Sequence, residues 1–369
     1  MLQAILLLLI ISLSWIFPSS SLAKTGDGMT LIMKASPDAQ YISQYYMEGM
    51  DLTKQIMKSK KMKTDEFPEI PYAYLKIGDN ESFIVGYSFN LYQPRKRLKW
   101  LPSIEVKSQL KSSLETLKKH HYGEELPWKD VQKFFPRMGY ADVVDLETGM
   151  TFSVQRRAGS KHADVQPLTA KDSKIMKQIY GGKWSWRRRA ILVKSGGHSI
   201  AASMNGMPHG AGAISGNNFP GHFCIHFKDS TTHKRKLPDP GHDYMVLKAS
   251  GNLTHHLVSG SPEEMITLFT SAIQERDLGA IPFFINQGDQ KEGRRFLEKQ
   301  RQIEGIKIES FRKEQTTSTG LDTEVAAVVR IKLLQEKEIR KNFVFHLVRL
   351  GLTERWKLEV GSLNKQFTF

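Results

Sequence analysis

Residues 204–233 read MNGMPHGAGAISGNNFPGHFCIHFKDSTTH, and the rest of the chain is organised around them. The stretch holds the single cysteine, Cys224, with four histidines: His209, His222, His226 and His233. Glycines, Asn217, Asn218 and Pro220 separate them, which predicts loop around a short extended segment. In an extended segment alternate residues share a face, so His222, Cys224 and His226 fall on one side. A cysteine attacks as thiolate and needs a base or a positive field nearby. Histidine is the usual base, because its ordinary pKa lies near neutrality. The pattern points to a polar cluster in which Cys224 is the nucleophile.

Working outward, residues 190–194 and 199–204 alternate as strands around Ser195-Gly196-Gly197-His198, a hairpin that feeds directly into the stretch. Residues 141–146 and 151–156 form a second hairpin about the turn Glu147-Thr148-Gly149. Residues 159–164 are polar and predict a loop. A helix starts at Thr169, with Asp172 at capping-box spacing, and stops at Gly181-Gly182.

At the opening stretch the sequence resembles the L,D-transpeptidase (YkuD-like) family. That family's motif is His-Gly, a glycine-rich spacer, then Ser/Thr-His-Gly-Cys, an apolar residue and Arg or Asn. Here His209-Gly210 stands for the first element and Gly221-His222-Phe223-Cys224-Ile225-His226 for the second. Gly221, Phe223 and His226 differ from the motif. The resemblance covers residues 140–248 and implies a mixed β fold. It implies Cys224 as acyl-accepting nucleophile, His209 as its base, His222 as a second polar group and backbone amides near Phe223 and Cys224 as oxyanion donors. The substrate it implies is a peptidoglycan stem peptide, with no cofactor. Gly210, Phe223, His226, Trp184 and Arg187 make up the expected substrate-binding set. Trp184 reads more readily as core or groove wall than as a stacking platform, and Arg187 as part of a solvated basic edge with Arg188 and Arg189.

Two other readings stay open. His222 and His226 are four apart, a spacing used for zinc, and His162 with Asp164 would complete a ligand set. Pro220-Gly221 and the aromatic and β-branched residues around Cys224 oppose the helix such a pair needs. A wall-binding module without chemistry is the third reading.

The flanks are simpler. Residues 24–138 predict an α+β domain: a helix over 38–58, strands over 72–77 and 82–87, the basic run Arg95-Lys96-Arg97, and a helix over 103–121. Residues 139–250 are the candidate catalytic domain. Residues 259–369 open on Ser261-Pro262-Glu263-Glu264, a helix start, followed by strands over 325–333, 343–350 and 354–360. Helix first and then a meander resembles the NTF2-like (cystatin-like) accessory domains. The expected class is therefore α+β and multidomain, as a length of 369 residues suggests.

Residues 4–17 are an apolar run of signal-peptide length, and Ser21-Leu22-Ala23 supplies a cleavage pattern, so residues 1–23 read as an export signal. An uncleaved anchor is the alternative, because no Lys or Arg precedes the run. The net charge of +15 favours an anionic partner. Export leaves nucleic acid out and favours peptidoglycan or another anionic wall polymer, with membrane contact only through an uncleaved segment. An exported chain with one cysteine has no internal disulfide, so that thiol must be buried or used.

Overall fold

The computed structural model describes residues 28–48, 50–64, 70–78, 81–232, 237–286, 290–312, 320–334 and 338–368. The segment read as an export signal, residues 1–23, and His233 lie outside them. The chain is mixed α and β, with three sheets in succession.

The first sheet is antiparallel throughout. It contains β1 (Met29–Met33), β2 (Ser43–Met47), β3 (Lys60–Lys63), β4 (Pro71–Ile77), β5 (Glu81–Gly86), β6 (Leu91–Gln93) and β7 (Leu98–Leu101), in the order β2-β1-β4-β5-β6-β7-β3. A short helix α1 (Met50–Met57) and a long one, α2 (Ile104–His121), cover it. Val106, Leu110, Leu114 and Leu117 recur at helical spacing on α2 and pack on Leu31, Leu75 and Val85. The helix expected over 38–58 is thus only its second half. Ser43–Met47 pairs instead with the open edge of β1, where its backbone groups gain ladder partners and its tyrosines stay exposed.

The second sheet closes on itself. Strands β8 (Tyr140–Asp145), β9 (Thr151–Ala158), β10 (Ala163–Pro167), β11 (Arg188–Ser195), β12 (His198–Asn205) and β13 (Phe223–His226) form a barrel in the order β10-β13-β12-β11-β8-β9, every pairing antiparallel. Alternation sends Val143, Phe152, Val154, Val165, Ile191, Val193, Ile200, Ala202, Phe223 and Ile225 into one core. Helices α3 (Trp128–Phe134) and α4 (Ala170–Ile179) pack on that core through Trp128, Val131, Met176 and Ile179. Thr169 and Asp172 form the reciprocal capping box expected of α4. The loop expected over 159–164 is shorter than foreseen. Asp164 and Gln166 are the alternate, outer residues of β10, and their polarity hides a strand whose inner residues are apolar.

The outer barrel residues Val144, Leu146, Ala190, Leu192 and Ala201 share a core with the helices that follow. These are α5 (Pro240–Ala249), α6 (Leu253–Ser259), α7 (Pro262–Gln274) and α8 (Ile281–Phe284). The third sheet comprises β14 (Ile285–Asn286), β15 (Ile303–Phe311), β16 (Asp322–Leu333), β17 (Glu338–Val348) and β18 (Lys357–Glu359). Its last four strands form an antiparallel meander, and β14 runs parallel to β18. Helix α9 (Gln290–Gln300) precedes the meander. The strand expected over 354–360 stops at Glu359, whose carboxylate caps helix α10 (Val360–Gln366) at Gly361 and Ser362.

Buried Lys248 of α5 ties these layers together. Its ammonium lies 2.7 Å from Glu147 in the β8–β9 turn and 2.6 Å from Asp277 after α7. Removing the cation leaves two shielded carboxylates facing each other. Lys248→Met is expected to cost about 3 kcal/mol of unfolding free energy, measured by denaturant titration. A loss below about 1 kcal/mol would mean that the pair behaves as a solvated surface pair.

Candidate active site on the barrel surface

Strand β13 puts Phe223 and Ile225 inside the barrel and Cys224 and His226 outside. Its neighbour β10 sets Asp164 directly opposite Cys224, and the Sγ lies 3.8 Å from Asp164 Oδ1. The loop between β12 and β13 folds back over this pair. It is closed by two backbone hydrogen bonds: His209 N–H to His222 O at 2.9 Å and His222 N–H to His209 O at 2.8 Å. That bridge carries His209 over the cysteine, with Nε2 3.3 Å from Sγ. Two glycines make the fold-back possible. Gly210 has φ +62°, and a Cβ there would lie 2.4 Å from His222 Cε1; Gly221 has φ +102°, and a Cβ there would lie 2.4 Å from His209 O.

Gln166 clamps the same loop. Its Nε2 donates to Gly221 O at 2.8 Å, and its Oε1 accepts from Ala213 N at 2.8 Å and Ile214 N at 3.2 Å. Gln166 belongs to none of the sequence motifs. The one available signal was a glutamine between Val165 and Pro167, in a segment otherwise apolar enough for a strand.

Backbone carbonyls fix the histidine tautomers, because a carbonyl can only accept. His209 Nδ1 lies 2.8 Å from Met207 O and His222 Nδ1 3.0 Å from Ala211 O, so both Nδ1 atoms carry protons. This leaves His209 Nε2 as an acceptor turned towards the thiol. His162 Nδ1 is likewise held, 2.8 Å from Thr231 O. Its Nε2 lies 3.2 Å from Asp164 Oδ1. His222 Nε2 lies 3.9 Å from the same carboxylate oxygen.

Burial decides the resting charge. Cys224 is 6% exposed, and burial, reinforced by the Asp164 carboxylate, pushes its thiol well above the ordinary range. Burial also lowers the His209 imidazole, aided by His222 and opposed by the hydrogen bond to Met207 O. The resting pair is therefore a neutral thiol beside a neutral base. Trp186 forms the open rim, 56% exposed and 5.1 Å from the His209 ring.

The other expected residues fall in different places. Gly210 sits against His222, beside the site. The Phe223 side chain lies in the barrel core against Phe152 and Phe219, not at the site, so it takes none of the room on the cysteine face. Trp184 packs edge-on to Phe219 at the margin of that core. The charged groups that act on Arg187 are Arg276, Glu275 and Glu304, and no residue around Cys224 is among them. His226 is buried and stacked between His162 and His242, 4.3 Å and 3.7 Å between ring centroids. Among the described residues it belongs to neither candidate ligand cluster, His209-His222-Cys224 or His162-Asp164-Cys224. Of the set His162, Asp164, His222 and His226, the structure brings His162 Nε2 and His222 Nε2 to 3.2 Å and 3.9 Å from Asp164 Oδ1, and His226 stacks on His162. His242 is buried on α5 with its Nδ1 2.9 Å from Ser203 Oγ.

No protein-family model matches the sequence, and no curated protein is significantly similar to it. The chemistry of the site therefore rests on its own geometry.

Proposed function

We propose that the chain is an exported wall protein whose residues 139–250 act as an L,D-transpeptidase-like cysteine acyltransferase on peptidoglycan. In this reading residues 24–138 and 259–369 are flanking domains, the latter NTF2-like. The observation that carries the proposal is the 3.3 Å contact between Cys224 Sγ and His209 Nε2, with Nδ1 tied to Met207 O.

The reaction follows from that contact. Cys224 Sγ attacks the carbonyl carbon of a stem-peptide amide as its proton passes to His209 Nε2. The C–N bond of the tetrahedral intermediate then breaks, and the leaving amine takes the proton from His209. An acceptor amine attacks the resulting thioester, losing its proton through His209, and Cys224 regains its own. Water in place of the amine gives hydrolysis. Backbone amides near Phe223 and Cys224 would hold the oxyanion. Asp164 opposes a lone thiolate but favours the imidazolium that forms with it. His162, whose Nε2 lies 3.2 Å from Asp164 Oδ1 and whose Nδ1 is held by Thr231 O, acts as a positioning residue for that carboxylate. The net charge of +15 suits an anionic wall polymer.

The test is conversion of purified peptidoglycan by wild type and His209→Gln. Wild type is expected to yield new muropeptides, and the variant to be slower by about 10²–10⁴-fold. Because burial lowers His209, wild-type activity is expected to fall only below the ordinary histidine range as pH drops. The variant should lose that acid limb and speed up as rising pH ionises the thiol. Wild-type protein that sediments with walls, is released by salt and leaves them chemically unchanged would replace this reading with that of a binding module.

A further inference from the structure

We infer that His209, His222 and Cys224 form a binding site for a thiophilic divalent cation of the zinc class, and that occupation of the site masks the nucleophile. Three observations carry this. First, one ligand atom from each residue lies within 4.8 Å of the other two. The Sγ–Nε2 separation of 3.3 Å is close to the edge of about 3.5 Å that tetrahedral zinc sets between a thiolate and an imidazole nitrogen.

Second, both histidines are prepared as ligands. Each donates its Nδ1 proton to a backbone carbonyl, Met207 O or Ala211 O, which leaves each Nε2 lone pair for a cation. Held in this way, the rings have the orientation and basicity that supporting partners give to metal-bound histidines. The backbone bridge between His209 and His222 fixes their spacing independently of any ion.

Third, the charges close. Asp164 Oδ1 lies 3.8 Å from Sγ and 3.9 Å from His222 Nε2. A dication beside one thiolate and one carboxylate leaves a buried site near neutrality, whereas a thiolate beside Asp164 alone puts two negative charges together. The second cluster, His162-Asp164-Cys224, is fully buried; His209 and His222 are half-buried and reach solvent, which gives the first cluster an entry path.

Binding exchanges the Cys224 S–H proton for an S–metal bond and releases that proton to solvent, so affinity should rise about tenfold per pH unit while the thiol is protonated. It removes the thiol and the base of the proposed acyl transfer together.

The experiment titrates metal-free, full-length protein with zinc against a chromophoric chelator, and with cobalt(II) in the spectrometer. One ion per chain is expected, with a tetrahedral cobalt spectrum, a thiolate-to-cobalt charge-transfer band, and protection of Cys224 from iodoacetamide. Cys224→Ser and His222→Ala, each checked for native circular dichroism, should weaken zinc binding at least about 100-fold. Substoichiometric binding, an octahedral cobalt spectrum without the thiolate band, or Cys224→Ser binding as tightly as wild type would overturn the site. The acyl-transfer reading is judged separately, by thioester formation on metal-free protein, so either can fail alone.

Discussion

Cys224→Ala is expected to lower peptidoglycan turnover by about 10⁴-fold or more while leaving the fold intact, as removal of the attacking atom does in other covalent hydrolases. The chain has no second cysteine to take over the role. The carboxylate beside the sulfur, Asp164, lies 3.8 Å away. His209 could still activate water in the variant, so a residual rate is expected. The fold should tolerate the change because Cys224 points out of the barrel and alanine is only slightly smaller. Turnover, measured by separating muropeptides after timed incubation, should fall with no matching fall in thermal stability. A variant that is both inactive and unfolded would say nothing about the nucleophile, so the two measurements belong together.

Phe223→Gly is expected to cost about 4–6 kcal/mol of stability, combining the loss of a fully buried aromatic with that of a strand residue's conformational restriction. The substitution restores the glycine of the motif that this stretch resembles. In this barrel, however, the position points inward. Phe223 meets Phe152 at 6.2 Å and Phe219 at 5.7 Å, and no part of it is exposed. Removing it opens a cavity at the centre of the second sheet. Denaturant unfolding would show a midpoint far below wild type. A change under about 1 kcal/mol would mean that neighbouring side chains refill the space, contrary to the close packing described.

These two effects show where the sequence was informative. The alternation Phe223, Cys224, Ile225, His226 was readable as strand, and it placed Cys224 and His226 on one face. The β8–β9 and β11–β12 hairpins were readable for the same reason, each an alternating pair about a glycine turn. The position of His209 was not readable from spacing. It depends on a long loop closing through the His209–His222 bridge, and the close approach at Gly210 and Gly221 is a three-dimensional fact. The same holds for Asp164, which reaches Cys224 because β10 pairs with β13 across the barrel seam. Its polar surroundings in sequence read as loop. His226 illustrates the opposite error. Its spacing from His222 fits a metal pair on a helix, but on a strand it lands two residues beyond Cys224, in a stack with His162 and His242. The first sheet misled for a local reason: Ser43–Met47 has enough apolar residues to continue a helix, and only the open edge of β1 makes it a strand.

The most direct test of the central claim is intact-mass analysis of metal-free protein quenched in acid during turnover of peptidoglycan fragments. A transient acyl adduct is expected, localised to Cys224 by fragmentation, released by hydroxylamine and absent from Cys224→Ala. Turnover by wild type with no adduct at any time point, together with undiminished turnover by Cys224→Ala, would contradict it.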